Sequence, residues 1–519
     1  MLALIRFLTL AICTLGAVPL PAQDETRALI ALDKAFTPPP KGKATLAEKQ
    51  AALKAIADFD SGKAAAAIVA AWNDVDSELT QVDNQRQTLA AEKAVLVKGY
   101  EAGDRRGLPR ETHARLGAIE KEGVGLRMRA DELRALQEQV GERIAKLRKR
   151  DSALWLLHNV CANKKHALQV RLASARCVGT CAADVMEELA AALPKAKDAP
   201  EQLVLLDALT LAGRTAQLHA APIVALLTST EEAVAERAAM ALAKLAVPDG
   251  IGQTITLLAR SSGQSRMRIA STLEVLTGQQ FGINTSAWQA WWQANGTAIA
   301  AGGTALGMGL PSHRKETDKF YYFGIPQDQS NAILYVIDCS GSMKELVKIP
   351  ESGTTAGGAT PETTRLEACK KELVRALGLL RPEQKFAVLW YNDQPHWWEE
   401  KMQSATEDAV WRAKAFVKTL EHGHSTNIHD SLETAFKLVG RGKSDKYYGI
   451  ELDTIFLLTD GSPTTLDGKS DSTEKILAGV RQWNPLKRVT IHCIAIGKDL
   501  NAKFLRELAA ENGGEFKQF

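Results

Sequence analysis

The chain lacks several things, and each absence narrows what it does. It carries 64 Lys and Arg against 61 Asp and Glu, a formal net charge of +3. No global excess of either sign exists to draw it to nucleic acid or an anionic membrane. The basic clusters at Lys146 to Arg150 and Lys164–Lys165 read as solvated helix ends. Beyond the N-terminus there is no run of about 18 uninterrupted apolar residues, so the mature chain is not expected to span a bilayer. Cysteines number seven, and their spacing matches no zinc motif and no disulfide scaffold. Also missing are a nucleophile elbow, a phosphate-binding loop and a paired-carboxylate signature, so nothing marks an enzyme.

What is present divides the 519 residues into several parts, too many for one core. Residues 1–22 read as an export signal: Arg6 is followed by an apolar run from Phe7 to Val18, and Leu20-Pro21-Ala22 ends it with a small residue. The protein is therefore expected to be secreted or periplasmic. In such an oxidising compartment Cys161, Cys177 and Cys181 have the option of pairing, with Cys177–Cys181 requiring a chain break between them. Cys339, Cys369 and Cys493 lie in apolar or helical stretches and read as buried thiols.

Residues 23–43 read as a linker broken by Thr37-Pro-Pro-Pro40. Over 44–150, Ile68, Val75, Val82, Leu89 and Leu96 fall seven apart, with Trp72 and Leu79 on the same stripe. After Gly103 to Pro109, Ile119, Leu126, Leu133, Val140 and Leu147 repeat at the same interval. The pattern predicts an antiparallel coiled-coil hairpin, which also offers a seam for self-association. Arg86, Lys93, Gly123 and Gln137 interrupt the second apolar position.

Residues 151–300 carry Ala- and Leu-rich helical segments, Glu201 to Gly213, Glu231 to Ala246 and Arg266 to Thr277, between short Pro/Gly/Asp breaks. The spacing suggests a HEAT-like α-solenoid closed by Trp288, Trp291 and Trp292. Residues 301–330, rich in glycine, read as a second linker.

From 331 to 519 apolar strands alternate with amphipathic helices, which predicts an α/β domain with a mostly parallel sheet covered on both faces. In such sheets ligands bind beyond the carboxyl ends of the strands. Three segments arrive there: Asp338-Cys-Ser340-Gly-Ser342, His424-Ser425-Thr426-Asn427, and Leu458-Thr459-Asp460-Gly461-Ser462. Two carboxylates and three hydroxyls on tight loops suit a hard divalent cation. His422, His424 and His429 crowd around Thr426 without zinc-ligand spacing and read as loop polarity. Trp390, His396, Trp397 and Trp398 read as core or edge packing, with an aromatic rim near the metal face as the alternative.

With these residues the last part of the chain resembles the von Willebrand factor type A domain and its metal-ion-dependent adhesion site. Asp338, Ser340 and Ser342 match the family's Asp-x-Ser-x-Ser, Thr426 the threonine of its second loop, and Asp460 the aspartate of its third. The resemblance implies a doubly wound, Rossmann-like domain in which those five side chains hold Mg²⁺, Mn²⁺ or Ca²⁺. A partner protein then fills the open position with an acidic residue. Cys339 and His424-Ser425 depart from the usual spacers, and Gly353 to Gly358 sit in an insertion after the first loop. The whole combination resembles exported bacterial proteins with this domain. Two other functions are weighed, a chelatase-like assembly factor working with an ATPase and a metal-dependent hydrolase; export argues against the first, and the missing water-activating base against the second.

Overall fold

The computed structural model describes residues 20–36, 44–101, 109–302, 321–327, 329–348, 362–438, 452–460, 463–464, 470–497 and 501–519. The export signal therefore lies almost wholly outside the described residues, as does the insertion with Gly353 to Gly358. Two compact units form: residues up to 196 with 207–212, and residues 197–206 with 213–519.

Among the described residues, every regular element of the first unit is a helix. Its helix α1 (Leu20–Phe36) corrects the expected linker over 23–36, the remainder of which, 37–43, lies outside the described residues. Ala28, Leu32, Ala35 and Phe36 fall on one helical stripe and are buried, so this segment packs instead of trailing in solvent. Next come α2 (Leu46–Ala55), the long α3 (Gly62–Glu101) and α4 (Arg110–Ala145), then the shorter α5 (Arg150–Leu156), α6 (Leu168–Thr180) and α7 (Ala182–Ala192). Thr45 caps α2 in a reciprocal capping box with Glu48.

Helices α3 and α4 run antiparallel, because partner numbers fall on one as they rise on the other. Gln137 meets Asp76, Arg129 meets Glu78, and Arg115 meets Glu92. Ile68, Trp72, Val75, Leu79, Val82 and Leu89 bury against this seam, as do Ile119, Leu133 and Val140 from the other helix. Three of the four interruptions read from sequence become polar pairs: Lys93 with Glu120, Arg86 with Asp83, Gln137 with Asp76. Cys161, Cys177 and Cys181 are buried free thiols in this unit.

Helix α8 (Ala199–Ala212) contributes residues to both units. In the second unit α9 (Ala221–Leu226), α10 (Glu232–Leu245), α11 (Ile251–Arg260), α12 (Gly263–Thr277) and α13 (Thr285–Ala300) follow, with α10 on α12 and α11 on α13. Trp288 is fully buried, its indole N–H donating to the Gly282 carbonyl at 2.8 Å. Trp292 lies against Gly252, where a Cβ would come within 2.8 Å of its ring.

The rest of the second unit is the α/β domain. It starts earlier than 331: Tyr322 and Ile325 of the small hairpin β1 (Tyr321–Tyr322) and β2 (Ile325–Pro326) are buried in its core, which corrects the linker boundary. Strands β3 (Ala332–Asp338), β6 (Lys385–Tyr391), β9 (Thr454–Thr459), β10 (Thr490–Ala495) and β11 (Phe516–Gln518) pair in parallel in the order β11-β10-β9-β3-β6. Two short strands, β7 (Pro395–Trp397) and β8 (Gln403–Ser404), add to β6 antiparallel, so the sheet is mixed. A separate ribbon joins β4 (Leu346–Val347) to β5 (Thr363–Thr364).

The central strands are apolar throughout because both faces are covered. Leu334 and Val336 pack with α16 (Ile428–Lys437), α17 (Thr473–Trp483) and α18 (Ala502–Glu511). Ile333, Tyr335 and Ile337 point the other way, toward α14 (Arg365–Leu377) and α15 (Glu407–Lys418). Cys339, Cys369 and Cys493 are buried in these layers. The aromatic group packs at the sheet edge: Trp390 stacks on His396 at 4.3 Å and Trp398 on Phe386 at 5.6 Å.

Candidate metal centre

Strand β3 delivers Asp338 to the carboxyl edge of the sheet, fully buried. Its Oδ1 accepts the Ser340 backbone N–H at 2.8 Å, which folds the loop back on the carboxylate. Its Oδ2 accepts the Thr459 hydroxyl at 2.7 Å and the Tyr391 hydroxyl at 3.3 Å. The Ser340 and Ser342 hydroxyls lie 3.2 Å apart, and Ser342 donates to Asp460 Oδ1 at 2.8 Å. Asp338, Ser340, Ser342 and Asp460 thus form one continuous group of oxygens.

Thr426 stands on the neighbouring loop. That loop is tied to the first by Gly341 N–H to the His424 carbonyl (3.1 Å) and Gly423 N–H to the Cys339 carbonyl (2.5 Å). The Thr426 N–H donates to the Thr464 hydroxyl at 2.7 Å. The Thr426 side chain is buried, and among the described residues its hydroxyl is not hydrogen-bonded to the other four site residues. Asn427 caps α16 behind it, accepting from the Asp430 N–H. The three histidines do not gather: His429 is buried on α16 with its Nδ1 3.1 Å from Asp430, while His424 serves the loop through its carbonyl. Among the described residues no three His, Cys, Asp or Glu side chains are grouped so as to hold a metal ion by themselves.

Two carboxylates converge here with little solvent. Burial first, and the charge of Asp460 second, push Asp338 up to about 7, against the hydrogen bonds from Ser340 and Thr459 that favour its anion. Burial likewise raises Asp460, which Ser342 and Arg365 partly counteract. The Arg365 guanidinium donates to Asp460 Oδ2 at 3.0 Å. The donors to Asp338, the Ser340 N–H and the Thr459 and Tyr391 hydroxyls, are all neutral. Carboxylates and hydroxyls gathered at one rim are the hard oxygen donors that suit a small divalent cation.

Arg365, Tyr391 and Thr459 escaped the sequence reading. Thr459 directly precedes Asp460, and Tyr391 sits opposite Asp338 in the parallel register, so strand ends aligned side by side point to both. Arg365 opens a helix that follows the insertion and carries no such signal.

Residues 360–517 match the family model of the von Willebrand factor type A domain, a domain type that generally mediates protein–protein interaction and adhesion. Inter alpha-trypsin inhibitor heavy chain 4 from Mus musculus is 26% identical over 36% of this chain and 17% of its own length. Inter-alpha-trypsin inhibitor heavy chain H2 from Mesocricetus auratus is 28% identical over 38% of this chain and 19% of its own. The matched part thus spans about a fifth of these curated relatives. Among solved structures, the von Willebrand factor type A protein from Catenulispora acidiphila aligns with a TM-score of 0.28 and 22% identity, covering 36% of this chain and 38% of that one.

Proposed function

Because the chain carries a von Willebrand factor type A domain, we propose that its α/β part captures a protein partner through a divalent cation, Mg²⁺ or else Mn²⁺ or Ca²⁺. Asp338, Ser340, Ser342, Thr426 and Asp460 hold the ion in this reading. When bound, the ion supplies an open Lewis-acidic position for a carboxylate from the partner. The protein's own residues do the rest. Thr459 and Tyr391 fix the direction of Asp338, Ser342 fixes Asp460, and the buried strands beneath hold both carboxylates in place.

One observation carries this reading: two buried carboxylates from separate strand ends face each other, and one of them has only neutral donors. Such a pair is costly without a compensating positive charge. The role is binding and not turnover. The helical units act as spacer or second docking surface, and the α3–α4 seam is a candidate for self-association. Export rests on the apolar N-terminal run; among the described residues no helix is long and apolar enough to cross a membrane.

Asp338→Ala is the direct test. Mg²⁺-dependent capture of a partner by the full chain is expected to fall by more than about a hundredfold, since a direct carboxylate ligand is lost. Circular dichroism should stay unchanged. Partner capture that survives both this substitution and excess chelator overturns the reading.

A further inference from the structure

Asp338 and Asp460 are treated differently by the protein. Asp460 has both oxygens engaged, Oδ1 by the Ser342 hydroxyl and Oδ2 by Arg365 Nη1. Arg365 is not a passing surface residue. Its side chain is 13% exposed, and its other arm, Nη2, pairs with Glu345 Oε2 at 2.7 Å. Its backbone N–H donates to the Glu345 carbonyl at 2.9 Å, beside the β4–β5 ribbon that brings the two residues together. Thr364 caps the helix that Arg365 opens. Gly497, at φ +123°, lies beneath the guanidinium; a Cβ there would come within 2.7 Å of Nη2.

We infer that Arg365 is a resident competitor for Asp460, which holds this carboxylate in place of the metal and so sets how tightly the site takes a divalent cation. The inference rests on the metal reading above and deepens it. The reasoning is electrostatic. A fixed guanidinium beside one of two carboxylate ligands repels an entering cation and occupies an oxygen the cation would use. Glu345 pulls in the opposite direction: by sharing the guanidinium it lightens Arg365's hold on Asp460. The ribbon that carries Glu345 thereby becomes a means of adjusting the site.

The test is Mn²⁺ affinity of the full chain, measured by calorimetry without any partner. Arg365→Gln is expected to tighten Mn²⁺ binding by about tenfold or more, because a positive charge next to the ligands is removed. Arg365→Lys keeps that charge and should stay within about threefold of the parent. Glu345→Gln should weaken binding, by roughly threefold, because the whole guanidinium then serves Asp460. A merely structural arginine predicts no tightening in the first variant and no opposed effect in the last. Parent and Arg365→Gln proteins that bind Mn²⁺ equally overturn the competitor role and leave the metal reading standing. Absence of Mn²⁺ binding in both overturns the metal reading itself. Should Arg365→Gln melt far below the parent, Glu345→Gln still decides: weaker Mn²⁺ binding supports the competitor role, and unchanged binding overturns it.

Discussion

Two buried carboxylates near opposite ends of the α/β sheet, Glu236 and Asp338, shift in opposite directions. At the amino ends of the strands, the helices of the same unit meet Asn331, Asp453 and Arg488. There Glu236 of α10 receives two hydrogen bonds from Arg268 of α12, at 2.6 and 3.1 Å. Burial alone would raise Glu236, yet Arg268 and Arg488 more than offset it and hold the carboxyl below its ordinary range. Asp453 accepts the Asn331 N–H at 2.8 Å and lies close to Arg268. Gly263 starts α12 at φ +54°, and a Cβ there would strike Asn331 and Asp453 within 2.8 Å. At the carboxyl ends, Asp338 is buried as deeply as Glu236 and moves the other way. The first end is a joint whose Glu236–Arg268 pair is answered within the fold, although burial raises Asp453 beside it. The second is a site whose charges are left partly unanswered, which is what a ligand-binding position requires.

The largest effect should come from breaking the joint. Glu236→Ala leaves Arg268 and Arg488 buried without their shared partner and is expected to cost about 3–5 kcal/mol of stability. Denaturant unfolding monitored by Trp fluorescence measures it. The double change Glu236→Leu with Arg268→Met should recover part of that loss, because Arg268 no longer needs a partner and Arg488 keeps Glu232. If the single and double variants are equally damaged, the joint is held by packing and the contrast between the two ends weakens. The Asp338→Ala substitution discussed above should behave oppositely: a large loss of cation binding with little loss of fold.

Much of this contrast was visible in the sequence only at one end. Four of the five candidate ligands, Asp338, Ser340, Ser342 and Asp460, end or follow apolar strands, where spacing marks them as candidates; Thr426 precedes a helix and was marked by the resemblance. The joint left no such trace. Glu236 and Arg268 are 32 residues apart, and Arg237 donates to the Leu486 carbonyl 249 residues away. Nothing local distinguishes those arginines from solvated ones. The same reason hid Arg365. Short elements were lost too: β7 and β8 are two or three residues long, and their pairing to β6 comes from the sheet and not from any periodicity. The expected linker failed over 23–36 because the prolines at 38–40 outweighed the helical stripe before them.

Asp338→Asn should give the next largest effect. The amide keeps an oxygen for the Ser340 N–H, and the hydroxyls of Thr459 and Tyr391 can turn to suit it. Facing Asp460 it removes a buried repulsion, so the metal-free protein is expected to gain roughly 2 kcal/mol at neutral pH. The sign follows from proton binding. Asp338 rises in the fold from 3.8 to about 7, so between these values the native chain holds a proton that the unfolded chain has lost. Its contribution to stability is therefore largest below about 4 and declines as pH rises toward 7. Melting curves of the metal-free parent should show that decline, and those of Asp338→Asn should not.

His492 sharpens the comparison with the smallest effect. It lies in β10, between the two ends, stacked on Phe456 at 4.9 Å with its Nδ1 accepting the Glu515 N–H at 3.0 Å. Full burial depresses it from 6.5 to about 3. Here the unfolded chain binds the proton first, so stability is present above about 6.5 and is lost as pH falls toward 3. His492→Gln, which retains an acceptor for Glu515, should remove that acid sensitivity and be worth about 1.4 kcal/mol relative to the parent at pH 5.5. The slope from Asp338 runs in the opposite direction and should vanish once Mg²⁺ is bound, because the ion displaces its proton. The slope from His492 should be the same with or without Mg²⁺, because no metal ligand faces it. Parallel pH series with Mg²⁺ and with chelator separate the two. A His492 slope that changes with Mg²⁺ would mean that the ion acts through the sheet and not at its rim alone.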